Sequence, residues 1–394
     1  MIPYGKHSVS WLDAFRVGMQ VKNHSLTQGP KIAEFENLVA KFVGVKYAVA
    51  VSSATAGLHI SVLALKLPPA SQIVTSPISF VASSNCILYS GHTPIFIDIN
   101  PENINLSAKF LSDEVTKNPN IRAVIPVHFA GLADEMAEIH DVCNKKAIKI
   151  IEDAAHGLGG MYPTGEKIGS CKYSDITVFS THPVKSITTG EGGIITTNSE
   201  EIYANLLRLR SHGINKLNDP IKNTFVGTTA GETNLWYYEM QSLGFHYRLT
   251  EIQAALGCSQ IKKLNKFMKR RYKLSLLYDS AFKKQKIIQP AQNCDKRLSA
   301  NHIYPVRIDF EKINISRNDL MKALKEKGIL TQVHYIPIPS HPYYSELGYD
   351  CNNLVESLKY YQSALTLPLY PTLKKKKQKF IINSLIDIIE QYAK

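Results

Sequence analysis

Phe179-Ser180-Thr181-His182-Pro183-Val184-Lys185-Ser186-Ile187-Thr188-Thr189-Gly190-Glu191-Gly192-Gly193 is the stretch on which the reading of this chain turns. The β-prone run Ile176 to Phe179 delivers Lys185 to a turn, and Glu191-Gly192-Gly193 leads back into a second β-prone run, Ile194 to Thr197. A lysine that must react as a neutral amine needs such a place: a strand end, restrained neighbours and little water. Upstream, Ile148-Lys149-Ile150-Ile151-Glu152-Asp153-Ala154-Ala155-His156-Gly157 ends a second apolar run on an acid. A buried strand-end acid paired with a later lysine is the pair that pyridoxal phosphate (PLP) chemistry requires. The acid keeps a pyridine nitrogen protonated, and the lysine forms a Schiff base.

Working outward, runs at Tyr47-Val51, Ile73-Ser76, Pro94-Asp98, Ala123-Val127, Lys149-Glu152, Ile176-Phe179 and Gly193-Thr197 read as strands. Several are continuously apolar, as expected of strands buried on both faces. Helix-length stretches separate them, among them Thr55 to Leu65 and Ala133 to Lys146. The alternation predicts an α/β domain with a mostly parallel sheet, whose ligands gather outside the carboxyl ends of the strands. Phe80, Asp153, His156 and Ser180 all fall just past strand ends in this reading. The texture changes after Gly244: one long helical pattern from Leu249 to about Phe282, short strands at Tyr304-Ile308 and Gln332-Ile336, and helices near Arg317-Lys327 and Gln378-Tyr392. The expectation is a large domain over residues 1–249 and a smaller α+β domain over 250–394. The polar stretch Lys216 to Thr233 is the expected mobile loop.

Composition narrows the class. With 394 residues, 44% hydrophobic and 20% charged, this is an ordinary globular chain with room for two cores. No apolar stretch approaches a membrane span and the N-terminus lacks a signal-peptide core, so the expected location is the cytoplasm. Six scattered cysteines without a C-x-x-C pair, and histidines without metal-site spacing, predict reduced thiols and no metal. The net charge of +13 reads as solvated helix faces, at Lys262 to Arg271 and Lys374 to Lys377 in particular. A nucleic-acid reading rests on that charge alone, and attraction of a doubly charged phosphorylated substrate is a third reading. Ser52-Ser53-Ala54-Thr55-Ala56 follows a strand and opens a helix, which suits either a phosphate or a plain Ser/Thr cap.

These pieces together resemble the DegT/DnrJ/EryC1/StrS sugar aminotransferases, enzymes of PLP fold type I. The resemblance runs from Leu26-Thr27-Gln28-Gly29-Pro30 through the segments around Thr55, Asp153 and Lys185. It continues through Gly244-Phe245-His246-Tyr247-Arg248-Leu249 and Val333-His334-Tyr335 to Leu367-Pro368-Leu369-Tyr370-Pro371. Within the group the chain looks most like the pseudaminic acid branch, on Pro77-Ile78-Ser79-Phe80-Val81-Ala82, Ser211-His212-Gly213, Asn301-His302-Ile303-Tyr304-Pro305 and Gln332-Val333-His334-Tyr335. A related dehydratase subgroup carries His where Lys185 stands, so the lysine points to transamination.

The resemblance implies PLP as cofactor, a UDP-linked 4-ketosugar and L-glutamate as reactants, and a homodimer with sites at the subunit interface. It implies that Lys185 carries the Schiff base and the proton shuttle, that Asp153 holds the pyridinium proton, and that Phe80 and His156 contact the ring. Thr55, Ala56 and Ser180 would hold the phosphate. His246 stands where the family usually has an Asn reaching the phosphate from the partner subunit, a departure. Tyr4, Thr27, Gln28, His334 and Tyr335 are the expected substrate contacts.

Overall fold

The computed structural model describes residues 1–215 and 220–394. Seven strands form the main sheet: β1 (Tyr47–Val51), β2 (Gln72–Thr75), β3 (Thr93–Phe96), β4 (Ile121–Ile125), β5 (Lys149–Asp153), β6 (Ile176–Ser180) and β7 (Gly193–Thr197). Their order is β1-β7-β6-β5-β4-β2-β3. Strands β2 to β6 pair in parallel, and β7 runs antiparallel to both β6 and β1. All seven runs read from the sequence are strands; the central ones are largely buried on both faces, while β3 at the sheet edge is partly open.

Helices α1 (Trp11–Asn23), α2 (Pro30–Val43), α3 (Ala54–Ala64), α4 (Ala82–Tyr89), α5 (Ala108–Lys117), α6 (Met136–Asn144) and α7 (Glu200–Arg210) flank the sheet or lie beside it. α2 shows how local signals set an element: Pro30 opens it, where a missing N–H costs nothing, and Gly44 closes it at φ +82. One face of the sheet packs Phe35, Val39 and Ile139; the other packs Leu58, Ile60 and Leu206.

Residues 220–233 contain a short helix α8 (Thr224–Gly227) and a hairpin of β8 (Thr228–Thr229) and β9 (Glu232–Thr233). The remainder of the expected mobile stretch, 216–219, lies outside the described residues.

Two expectations are corrected. The helical pattern from Leu249 to Phe282 is two helices, α9 (Glu251–Ile261) and α10 (Leu264–Phe282). No Gly or Pro marks the break; Lys263 there reaches back to Asp13 of α1, a contact invisible in a local pattern. Gln332-Ile336 is not a strand. Gln332 exchanges both backbone bonds with Thr366, but the N–H of Val333 is taken by the Gln332 side chain at 2.9 Å, so the ladder stops after one pair.

Strands β10 (Ile288–Pro290), β11 (Tyr304–Ile308) and β12 (Ala364–Leu367) form a second, antiparallel sheet. With it come α11 (Arg317–Glu326), α12 (Pro342–Glu346), α13 (Val355–Ser363) and α14 (Lys375–Gln391). Its core joins Leu274, Tyr278, Leu320, Leu367 and Leu385 to Ile2 from the far end of the chain. The division at residues 249 and 250 is proposed from chain texture. In packing terms α9 belongs with α1 and α2, burying Ala254 and Cys258 in the core that holds Phe35.

Candidate active site

A cavity of about 700 Å³ opens at the carboxyl ends of the central strands. Asp153 ends β5, Ser180 ends β6 and Val127 lies two residues past the end of β4, so the ends of three neighbouring strands meet the cavity. Tyr4, Thr55, Phe80, His156, Lys185, His334 and Tyr335 also line it. Nine of the residues expected from the sequence therefore meet in one place.

The loop carrying Lys185 is braced from within. Thr181 and Thr189 share a hydroxyl contact of 2.7 Å, Thr189 Oγ1 donates to the Glu191 carbonyl at 2.6 Å, and the N–H of Lys185 donates to the His182 carbonyl at 2.9 Å. Gly193 starts β7 against the turn that opens α3; a β-carbon there would lie 2.7 Å from backbone atoms of Ser53 and Ala54. That close approach places the start of α3 beside the lysine loop.

Asp153 is 4% exposed and well held. Its Oδ1 accepts the Ala155 N–H at 3.0 Å, and its Oδ2 accepts the Ser83 hydroxyl at 2.6 Å. Burial pushes the Lys185 amine down to about 8, with the Asp153 carboxylate pulling the other way. Burial likewise drives His156 and His302 well below the usual imidazole range, and His334 to about 3, with the Lys185 charge acting in the same direction. Tyr335 is raised by burial, so its phenol keeps its proton. Deep in the cavity, neutral His156, His302 and His334 and the Tyr335 phenol thus surround the Asp153 carboxylate and an amine that readily loses its charge.

Tyr335 Oη lies 3.1 Å from His156 Nε2. With the phenol donating, the imidazole proton sits on Nδ1, which is buried without a partner. A buried donor without a protein acceptor is one that an oxygen of a bound cofactor would complete. The start of α3 offers a second fit. Ser53 Oγ accepts the Ala56 N–H at 3.1 Å, leaving Thr55 and the helix end facing the cavity for an anion. Lysine, acid, orphaned imidazole donor and helix N-terminus together suit PLP.

Other expected residues lie elsewhere. Ala56 is buried with its N–H spent on the Ser53 cap. Thr27 and Gln28 are exposed between α1 and α2, away from the cavity lining. His246 is exposed, its ring 5.3 Å from that of His212. Conversely, Ser79, Glu191, His302 and His341 line the cavity without having been singled out, and Ser83 reaches Asp153 from α4. Ser79 lies within the quoted segment Pro77 to Ala82 and Ser83 just beyond it, but each is one hydroxyl among several near Phe80, and nothing local tells which one meets Asp153.

A mostly parallel sheet with a strand-end acid and a loop lysine around one cavity defines a PLP enzyme of the aminotransferase type. The chain belongs to the DegT/DnrJ/EryC1/StrS aminotransferase family, whose model matches residues 14–386. It is a PLP-dependent sugar aminotransferase. It is 34% identical over 392 residues to the spore coat polysaccharide biosynthesis protein SpsC of Bacillus subtilis, covering 99% of this chain and 97% of that one. It is 33% identical over 395 residues to a UDP-4-amino-4,6-dideoxy-N-acetyl-beta-L-altrosamine transaminase of Campylobacter jejuni, covering 100% and 99%. Among solved structures, PseC of Helicobacter pylori, an aminotransferase of pseudaminic acid biosynthesis, superposes with TM-score 0.89 at 30% identity over 99% of this chain and 100% of that one. Spr1654 of Streptococcus pneumoniae, described as a sugar aminotransferase and solved in a PLP form, gives 0.88 at 26% over 99% of each.

Proposed function

We propose that the enzyme aminates C4 of UDP-2-acetamido-2,6-dideoxy-β-L-arabino-hexos-4-ulose with L-glutamate, giving UDP-4-amino-4,6-dideoxy-N-acetyl-β-L-altrosamine in pseudaminic acid biosynthesis. The likeness to the Campylobacter transaminase over the whole chain is the observation that carries this choice of sugar. The substrates are nucleotide-linked, so the cytoplasm is the proposed location.

PLP, when bound, supplies the electron sink that stabilises a carbanion. Lys185 is its attachment point, Asp153 its pyridine-nitrogen partner, and Thr55 with Ser180 the hold on its phosphate. Phe80 and His156 bound the ring. In the first half-reaction Lys185 Nζ removes the Cα proton of glutamate; in the second it returns a proton to C4 of the sugar. An amine that titrates near 8 is suited to both jobs. Neutral His334 and Tyr335, with Tyr4 beside them at a ring separation of 5.4 Å, form the wall proposed to receive the sugar nucleotide. Net, the amino group and one hydrogen pass from glutamate to C4 of the sugar; the ketone oxygen leaves as water, and a water supplies the oxo oxygen of 2-oxoglutarate.

The likeness to SpsC, a relative of spore coat polysaccharide biosynthesis, keeps a second reading alongside: the same chemistry on another nucleotide-linked 4-ketosugar, such as the D-xylo epimer. A paired turnover assay with glutamate and each of the two epimeric ketones separates them. Amination mainly of the L-arabino ketone is expected. Amination mainly of the D-xylo ketone would overturn the choice of sugar. A failure of glutamate to change the PLP absorbance would overturn the choice of donor.

A further inference from the structure

The acid at the end of β5 does not stand alone. Ser83 Oγ lies 2.6 Å from Asp153 Oδ2, 2.6 Å from Ser79 Oγ and 3.3 Å from the Phe80 carbonyl oxygen. Ser83 is fully buried, so its hydroxyl has only these protein partners, while Ser79 is 4% exposed at the cavity wall. A hydroxyl has one proton to give. The carboxylate and the carbonyl can only accept, and the carboxylate is both the nearer and the charged acceptor, so Ser83 gives its proton to Asp153. Ser79 must then donate to Ser83. The order is therefore Ser79 to Ser83 to Asp153, a one-way hydroxyl relay.

The relay starts in the turn that carries Phe80, which lies between the two serines and is 60% exposed on the cavity side. Ser83 sits in the first turn of α4, whose N–H bonds to the Phe80 carbonyl, so helix and turn move together. The opposite oxygen of Asp153 is fixed by the Ala155 N–H. Each carboxylate oxygen thus has one protein donor and keeps lone-pair capacity toward the cavity.

We infer that Ser83, backed by Ser79, is a positioning residue that sets the direction and basicity of Asp153 toward the pyridine nitrogen of PLP. A donor on Oδ2 stabilises the ionised acid and leaves the proton on the ring nitrogen. Without it, the carboxylate is a stronger base and draws that proton toward itself. No bond other than a hydrogen bond changes in this role. The inference rests on the proposed role of Asp153, and the test separates the two.

The holoenzyme is reconstituted with PLP labelled with ¹⁵N in the pyridine ring, and the nitrogen shift is read by NMR at one pH alongside the single-turnover rate with glutamate. Ser83→Ala is expected to move the signal toward the unprotonated position. It is also expected to slow the half-reaction by about tenfold to a hundredfold, the usual scale for losing a hydrogen bond to a charged group. Ser83→Thr, which keeps the hydroxyl, should restore both toward the parent values. A Ser83→Ala holoenzyme within about twofold of the parent rate, with an unmoved nitrogen signal, overturns the inference. Should that variant fail to fold, Ser79→Ala removes only the outer donor. It should shift the signal less, in the same direction, and no shift overturns the relay. Asp153→Asn is the reference: a signal that stays put there defeats the reading of Asp153 itself, whereas movement there and none in the serine variants defeats the relay alone.

Discussion

At the scale of the residue, Lys185 carries the argument. Its ammonium is held near 8 in the protein, against about 10.4 in an unfolded chain. Between those values the unfolded state binds the extra proton, so this group makes stability rise with pH from about 8 to about 10.4 and costs stability below that window. Replacing it removes the cost. Lys185→Met, free of PLP, is expected to melt higher than the PLP-free parent at pH 7, with the difference shrinking by pH 10. A difference independent of pH would show that burial does not strain the amine. The same position must abolish turnover: Lys185→Ala with measurable amination of any ketosugar would end the transaminase mechanism. The cavity positions of Asp153 and Lys185 were legible because one ends an apolar run and the other sits in the turn that follows one, and strand ends are where such sheets bind ligands. Ser83 was not, since a hydroxyl in a Ser-rich turn carries no local mark of what it faces across 70 residues.

At the scale of the element, β5 shows how one strand serves two masters. Its last two residues point to opposite faces: Asp153 to the cavity and Glu152 into a fully buried polar nest. Glu152 accepts from Tyr162 at 2.7 Å, Thr177 at 2.9 Å, Ser174, and His128 Nε2 at 2.5 Å. The other imidazole nitrogen of His128 takes the Asp134 N–H at 3.2 Å, and the His128 backbone N–H donates to the Asp153 carbonyl at 3.1 Å. The end of β5 is therefore pinned to the segment after β4 by side chain and backbone together. Glu152→Ala leaves three hydroxyls and an imidazole without their acceptor, and is expected to cost about 3–5 kcal/mol of stability. Denaturant titration checks this, and a loss under about 1 kcal/mol would mean the nest reorganises freely around the gap. Strands of this kind were legible to within two residues because burial on both faces writes an unbroken apolar run. β10 and β12 were missed. Both are short, and β12 (Ala-Leu-Thr-Leu) continues straight from a helix without punctuation. The extended Gln332-Ile336 carried the right composition but found one backbone partner.

At the scale of the whole molecule, the apolar surface asks for a partner. Trp11 on α1 is 91% exposed, and Phe225, Leu235 and Trp236 lie open in the segment that follows 219. Exposed aromatic and aliphatic side chains of this size are candidates for an interaction surface. We expect a homodimer, with a sedimentation mass twice the 44.1 kDa of one chain, and Trp11→Lys combined with Trp236→Lys shifting it toward the single-chain mass. His246 is exposed and is not among the residues lining the cavity of its own chain. If it serves the partner's cavity, then a subunit with Lys185→Ala and one with His246→Ala complement each other. In the mixed dimer, the site with an intact lysine borrows an intact His246 from the lysine-less subunit. Co-expressed subunits, with the mixed dimer purified by two tags, should therefore turn over faster than either variant homodimer. If His246 acts within its own chain, the only intact lysine sits beside the damaged histidine and mixing gains nothing, which would remove His246 from the shared site.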